Sequence, residues 1–179
     1  METRFNDLSA NQDAIRDVLH TMGLIHDNET LLVKPLTGGV SSNILKVSVG
    51  EKHFCLKQAL TKLKVAKEWH APLERVFAEI DWMKTVSHIA PDAVPHIQGV
   101  DREALCFVMD YLPAEHFANW KSQLLQGVID VNFAGEMGEV LGKIHQQTAN
   151  NSELAKVFAY DDNFFSLRLD PYLGETSRV

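Results

Sequence analysis

Apolar and polar residues change their spacing several times along the first half of the chain. Between residues 9 and 23 the apolar positions recur every three or four residues, which predicts a helix ending at Gly23. Ser9 followed by Gln12 matches a capping box and predicts where that helix begins. Beyond residue 30, short apolar runs alternate with turn residues, a pattern typical of an antiparallel sheet. The expected strands cover residues 31–36, 44–49, 53–58, 95–100 and 104–109.

Helical spacing returns between the third and fourth strands and dominates the second half of the chain. A short helix is expected over residues 61–69, and stronger helices over 73–87 and 132–148. The last of these carries three glycines at helical spacing, each costing roughly 1 kcal/mol in a helix interior, so we expect another backbone to pack closely against them. They are Gly135, Gly138 and Gly142. This order of elements predicts an α+β fold with a five-stranded antiparallel sheet and one inserted helix, followed by further helices.

Composition and charge favour an ordinary globular protein and argue against several other classes. Of the 179 residues, 45% are hydrophobic and 23% are charged, as in an ordinary globular protein. A net charge of -7 argues against a nucleic-acid partner, and the lysines at 62, 64 and 67 are read as a solvated helix face. No apolar run approaches the length of a membrane span, and the charged first residues do not form a secretory signal.

The cysteines indicate the cellular compartment, and the histidines argue against a metal site. Cys55 and Cys106 lie inside apolar strand-like runs and are read as buried free thiols, which predicts a cytoplasmic protein. The eight histidines show no ligand spacing with cysteine, aspartate or glutamate, so no metal-binding residue is predicted.

A glycine- and hydroxyl-rich segment separates the first two expected strands. Glycines let a backbone approach a phosphate closely, and hydroxyl or backbone N–H groups donate hydrogen bonds to it. The alternative is an ordinary hairpin turn. The candidate phosphate-binding residues are Gly38, Gly39, Ser41, Ser42 and Asn43.

A lysine and a glutamate follow this loop in an informative order. Lys57 lies in an apolar strand, on the same face as Cys55, and a buried ammonium needs an anionic partner. Glu79 flanks the apolar stripe of the helix that comes next, from which its carboxylate can reach a cation. The alternative for each residue is a surface position, with the Lys57 ammonium or the Glu79 carboxylate in water. Kinases hold the nucleotide phosphates with a loop, a lysine and a helix glutamate in this order, so we expect Lys57 and Glu79 to form an ion pair.

With these motifs in order, the chain resembles the aminoglycoside phosphotransferases and their relatives, among them the choline, homoserine and methylthioribose kinases. Residues 38–47 are similar to the family's glycine-rich loop, with an extra serine, and 54–57 to its nucleotide-lysine strand. Residues 75–79 are similar to its helix glutamate segment, 94–96 followed by 105–113 to its strand-to-hinge segment and 141–145 to the helix before the catalytic region. A weaker similarity covers 167–173.

The resemblance implies a protein-kinase-like small lobe over residues 1–112, with N-terminal helix and hinge, followed by an incomplete helical large lobe over 113–179. It implies transfer of the γ-phosphoryl group of ATP, with Mg²⁺, to a hydroxyl of a small polar molecule. Lys57 and Glu79 would hold the phosphates together with the loop. The expected adenine slot is formed by Val33, Val47, Cys55 and Met109, with hinge backbone groups of Asp110 and Leu112.

The family's His-Gly-Asp-x-x-x-x-Asn loop and its later metal-binding aspartate have no match here. No aspartate of the sequence is followed by asparagine five residues later, so no catalytic residue and no Mg²⁺ ligand is assigned. We therefore expect a truncated enzyme that is inactive alone and associates with itself or with a complementing C-terminal half, because the apolar stripe of 132–148 needs a partner. The alternative is a non-catalytic, degenerate kinase lobe that serves as an interaction or nucleotide-binding regulatory module.

Overall fold

The computed structural model describes residues 7–66 and 68–178. Its sheet has five strands in the order β1-β2-β3-β5-β4, and every neighbouring pair is antiparallel. The strands are β1 Leu31–Pro35, β2 Ser42–Val49, β3 Lys52–Ala59, β4 Ile97–Asp101 and β5 Cys106–Asp110. The predicted α+β class and the five-stranded antiparallel sheet are confirmed.

The helices lie before, within and after this sheet. They are α1 Gln12–Thr21, α2 Arg75–Ile89, α3 Trp120–Leu125, α4 Val131–Thr148, α5 Ser152–Val157 and α6 Asp161–Phe164. A π-helical segment, Phe165–Gly174, follows α6, and single 3-10 turns cover Leu8–Ala10, Pro91–Ala93 and Thr176–Arg178. Helix α2 is the helix inserted between the third and fourth strands in chain order.

Two sequence predictions about helices are wrong. Ser9 does not cap α1, because it belongs to the preceding 3-10 turn, and Asn11 accepts the capping hydrogen bond from the Ala14 N–H at 3.0 Å. The helix expected over 61–69 is absent from the described residues of that range. An isolated antiparallel bridge between Lys62 and His70 shapes the segment instead. Lys67, the third lysine of the expected helix face, lies outside the described residues.

The sheet is covered on both faces, because alternate residues of its central strands are buried on opposite sides. Helix α1 packs on one face, where its Ile15, Val18 and Leu19 join the inward side chains of the sheet. These are Leu45, Val47, Val49, Phe54, Leu56, Cys106 and Val108. Helix α2 packs on the other face, against Ala59 and Phe107. Both cores lie within residues 8–109.

The chain beyond these cores has none of its own, since no described residue from 109 to 177 is buried. Large apolar side chains are open to solvent there, including Leu125 at 79%, Ile129 at 77% and Val131 at 76%. The backbone contact expected at the α4 glycines is not found among the described residues, because a Cβ at any of the three would meet nothing within 4 Å. Self-association through this face stays a prediction. In the described part of the chain, no helix combines the length and apolar character that a bilayer crossing requires.

Besides the packing of α4 against α2, a few polar and aromatic contacts join residues 110–178 to the rest of the chain. The Tyr160 hydroxyl donates to Asp81 Oδ2 on α2 at 3.2 Å. The Trp69 indole N–H donates to the Ser166 carbonyl at 2.9 Å, and its ring meets Tyr172 edge to face with 6.5 Å between centroids. The contacts therefore fall on α2 and on the segment that leads into it.

The buried Gln58 gives a test of how the N-terminal segment is attached to the sheet. Its side chain accepts from the Leu8 N–H at 3.0 Å and donates to the Ala104 carbonyl at 3.1 Å, with none of the residue exposed. Gln58→Leu should lower the free energy of unfolding by about 1–3 kcal/mol for each backbone group left without a partner. Urea denaturation followed by circular dichroism measures the change.

The matched control is Gln146→Leu on α4, where the glutamine is exposed. Its effect should stay within about 0.5 kcal/mol, as for most surface substitutions. Equal effects of the two variants would contradict the bridging role of Gln58.

Candidate functional site

Lys57 and Glu79 form an ion pair beside the edge of α2. The Lys57 ammonium lies 2.5 Å from Glu79 Oε1, and the two side chains are 19% and 38% exposed. Strand β3 supplies the lysine and the second turn of α2 supplies the glutamate. The ion pair predicted from the sequence is confirmed. An ammonium has three N–H donors, and Glu79 takes one of them.

The glycine-rich loop between β1 and β2 has a shape that only glycine tolerates. Gly38 adopts a φ of +103°, in the region that side chains rarely enter, and its surroundings are open. A Cβ on Gly39 would approach Ile44 Cδ1 and the Ser42 carbonyl oxygen to 2.8 Å. The far end of the loop is fixed, since the Leu60 N–H donates to the Ser41 carbonyl at 3.1 Å.

Ser42 and Asn43 are not loop residues, because β2 begins at Ser42. Asn43 is 1% exposed and donates from Nδ2 to Asp7 Oδ1 at 2.7 Å. Burial acts to raise the pKa of Asp7, but hydrogen bonds from Ser9 and Asn43 hold that pKa below its usual value. The Asn43 side chain therefore ties the N-terminal segment to the sheet, on the face opposite Lys57, and is not part of the cluster around the ion pair.

The predicted adenine slot mixes residues from the two faces of the sheet. Directly paired residues of antiparallel strands share a face, and Cys55 pairs with Met109 on one side and with Lys46 on the other. Val33 pairs with Val47, which is fully buried in the core beneath α1. Cys55 and Met109 thus share the face of Lys57, whereas Val33 and Val47 belong to the opposite face. Their assignment to the slot is wrong.

Lys46 and Tyr111 occupy the face that the two valines were expected to line. The Lys46 ammonium lies 4.2 Å from the centroid of the Tyr111 ring, in a cation–π contact. His53 meets the same ring edge to face at 6.5 Å and forms a 2.9 Å hydrogen bond with the Ser48 hydroxyl. Neither Lys46 nor Tyr111 was identified as a site residue from the sequence. Counting strand parity from Cys55 across the hairpin would have found Lys46.

The hinge groups are only partly as expected. The Asp110 N–H already donates to the His96 carbonyl at 3.0 Å, and the Asp110 carboxylate accepts from Gln98 Nε2 at 2.5 Å. The Asp110 carbonyl is therefore the backbone group of this residue that can accept a hydrogen bond from a ligand. Leu112 follows on the exposed side of the hinge, with 41% of its surface accessible.

Cys55 lies beside the ion pair but is not a reactive thiol. Burial raises its pKa to about 11, an effect that Lys57 opposes and Glu79 reinforces. Cys106, on the other face of the sheet, has a pKa raised to about 12 by burial and by Asp101. Both thiols are protonated at neutral pH, which excludes a strong thiolate nucleophile at either position.

The donors around the ion pair fit an anionic ligand better than a metal ion. The sheet face that carries the half-buried Lys57 ammonium also carries a second cation, Lys46. The open glycine loop lies at the edge of this face. Within residues 7–66 and 68–178 there is no group of three histidine, cysteine, aspartate or glutamate side chains placed to hold a metal. The described residues around the ion pair therefore offer donors to an anionic ligand such as a phosphate group.

Comparison with known proteins finds a similarity to a kinase. No family model matches the chain. A curated protein, methylthioribose kinase of Exiguobacterium sibiricum, is 33% identical over 133 residues, which is 74% of this chain and 33% of that protein. The chain thus spans about a third of the length of the relative that it matches. It is a partial homologue of a small-molecule kinase.

A zero-length carbodiimide should couple Lys57 to Glu79, because the reagent joins only amine and carboxylate groups that are in contact. The amide is identified in proteolytic peptides by mass spectrometry. Glu153 and Lys156, whose charged atoms lie 2.8 Å apart on α5, provide an exposed reference link in the same digest. Glu79→Gln should abolish the first link and preserve the second. If the unmodified chain forms the reference link alone, the Lys57 and Glu79 side chains point apart in solution.

Proposed function

We propose that this chain forms the ATP-binding portion of a small-molecule phosphotransferase, which transfers the γ-phosphoryl group of ATP to a hydroxyl of a small polar molecule. The Lys57–Glu79 pair, at the edge of a glycine-rich loop, carries the proposal. Residues 1–112 would form a protein-kinase-like small lobe with its hinge, and 113–179 would begin the helical large lobe. The chain is 33% identical to a kinase along 74% of its length, and this similarity favours a phosphotransferase over a non-catalytic module.

Lys57 would hold the nucleotide's α- and β-phosphates. Its ammonium offsets their charge, and Glu79 keeps the ammonium on the open side of β3 before the nucleotide arrives. The backbone N–H groups of the loop at Gly38 and Gly39 would donate to the phosphate oxygens from the opposite side, and the surroundings of Gly38 are open.

The base would lie on the face of the sheet that carries Cys55 and Met109. The Asp110 carbonyl and the backbone of Leu112 would supply the hinge hydrogen bonds. Tyr111 and Lys46 would border this slot, since their cation–π contact lies above the strand position paired with Cys55. The proposed slot therefore replaces Val33 and Val47 with these two residues.

Mg²⁺ would neutralise phosphate charge during transfer, but no set of ligands for it lies among the described residues. The role proposed for this chain is accordingly to bind and orient the nucleotide. The relative's name identifies methylthioribose as its substrate. For this chain we propose the broader class of small polar molecules with a free hydroxyl, such as sugars, amino alcohols and aminoglycosides.

Lys57→Met should weaken ATP binding about 10- to 150-fold, because a hydrogen bond to a charged group contributes roughly 1.5–3 kcal/mol. Calorimetric titration with Mg·ATP measures the affinity. Lys52→Met is the matched control, since Lys52 is exposed at the start of the same strand. It should bind ATP like the unmodified chain. An unmodified chain that does not bind ATP, or two variants with equal affinities, would contradict the proposal.

ATP at millimolar levels should slow the labelling of Cys55 by a thiol reagent. The bound base would cover the face on which Cys55 lies, whereas Cys106 belongs to the core under α1 and serves as the internal reference. Peptide mass spectrometry gives the two labelling rates separately. Protection of both thiols to the same extent would indicate general stabilisation, and protection of neither would argue against a base at this position.

A further inference from the structure

Arg75 is a buried cation that binds backbone carbonyls rather than a carboxylate. It is the first residue of α2 and is 9% exposed. Its Nη1 donates to the carbonyls of Ala71 and Pro72 at 3.0 and 2.7 Å. Its Nη2 donates to those of Ser41 and Leu60 at 2.5 and 2.6 Å. One guanidinium therefore binds four carbonyl oxygens.

The four carbonyls belong to three different parts of the site. Ser41 ends the glycine-rich loop, immediately before β2 begins. Leu60 directly follows β3 and lies three residues beyond Lys57. Ala71 and Pro72 belong to the segment that leads into α2. Only a planar fork with several N–H donors can bind carbonyls from all three at once, which a lysine ammonium cannot reproduce in this geometry.

Helical geometry links Arg75 to the ion pair. Residues four apart lie on the same side of a helix, one turn above each other, so Arg75 and Glu79 share a side of α2. Fixing the first turn of α2 against Ser41 and Leu60 sets the rotation and the axial position of the helix. These two quantities decide whether the Glu79 carboxylate reaches Lys57.

Burying this cation is costly. Loss of hydration lowers the pKa of Arg75, although Glu74 and Glu79 act in the opposite direction. An apolar residue at a buried helix start would avoid that cost, so the carbonyl contacts must serve the arrangement of these segments.

We propose that Arg75 is a positioning residue, which holds the glycine-rich loop, β3 and α2 in the arrangement that brings Glu79 onto Lys57. Its consequence for ATP binding rests on the proposed function, but its effect on the ion pair does not. The two are therefore measurable separately.

The first experiment uses no nucleotide. Arg75→Lys keeps the charge but loses the fork, and should lower the yield of the Lys57–Glu79 carbodiimide link about 2- to 30-fold, the range expected for coupling through a packed network. The Glu153–Lys156 link should be unchanged. Arg16→Lys is the matched control, because Arg16 donates to the Glu29 carbonyl at 2.9 Å from α1, away from the ion pair. It should leave both links unchanged.

The second experiment measures ATP affinity in a double-mutant cycle of Arg75→Lys and Glu79→Gln. If Arg75 acts through Glu79, the double variant should bind ATP about as weakly as Glu79→Gln alone. Additive losses of affinity would overturn the proposal. Arg16→Lys combined with Glu79→Gln should lose no more affinity than Glu79→Gln.

The outcomes separate this inference from the proposed function. A Lys57–Glu79 link that depends on Arg75, in a chain that does not bind ATP, would sustain the positioning role and refute nucleotide binding. An unchanged link in Arg75→Lys, in a chain that binds ATP, would do the reverse. If Arg75→Lys loses its cooperative thermal transition, Arg75→Gln takes its place, since its amide keeps part of the donor set. If neither variant folds, Arg75 is a residue of general stability and the positioning role is rejected.

Discussion

Strand β3 is buried along most of its length, and the alternation of its side chains determines what reaches the candidate site. Leu56 and Gln58 are fully buried on the α1 side, which fixes the register of the strand. Lys57, between them, must then face the other way, toward α2. A shift of one residue would bury the ammonium in an apolar core, at a cost far above any hydrogen bond it could form. The core under α1 thus orients the cation on the opposite face.

The ion pair itself contributes little to the stability of the fold. With 19% of one side chain and 38% of the other exposed, solvent screens the attraction, and pairs of this kind are worth about 1 kcal/mol or less. The more expensive feature is Arg75, whose buried guanidinium binds carbonyls from the loop, from beyond β3 and from the segment before α2. The desolvation of Arg75 costs more than the ion pair contributes to stability. This cost is consistent with a pair whose position serves the binding of a ligand.

How far sequence reasoning reaches depends on the range of the contacts involved. The order of a glycine loop, Lys57 and Glu79 is local, and it correctly predicted the ion pair. The role of Asn43 in attaching the N-terminal segment depends on Asp7, 36 positions away, and no local pattern reveals that contact. The two valines failed for a different reason: their apolar character fits either face, and only the pairing of Val47 with Phe54 decides between them. The segment over 61–69 has helical spacing, yet the long-range contacts of its described residues, such as the 2.8 Å hydrogen bond from the Lys64 N–H to the Val40 carbonyl, favour an irregular path.

Helix α2 is contacted from three directions. Arg75 ties its start to the glycine-rich loop, and Glu79 ties its second turn to β3. Two residues further on, Asp81 accepts the hydrogen bond of Tyr160, and that contact together with burial raises the tyrosine's pKa. Residues 110–178 have no buried core of their own, so their position depends on contacts of this kind and on the packing of α4 against α2. Glu79 and Asp81 lie about half a turn apart, so the ion pair and the Tyr160 contact leave nearly opposite sides of α2, which joins β3 on one side to the Tyr160 segment on the other.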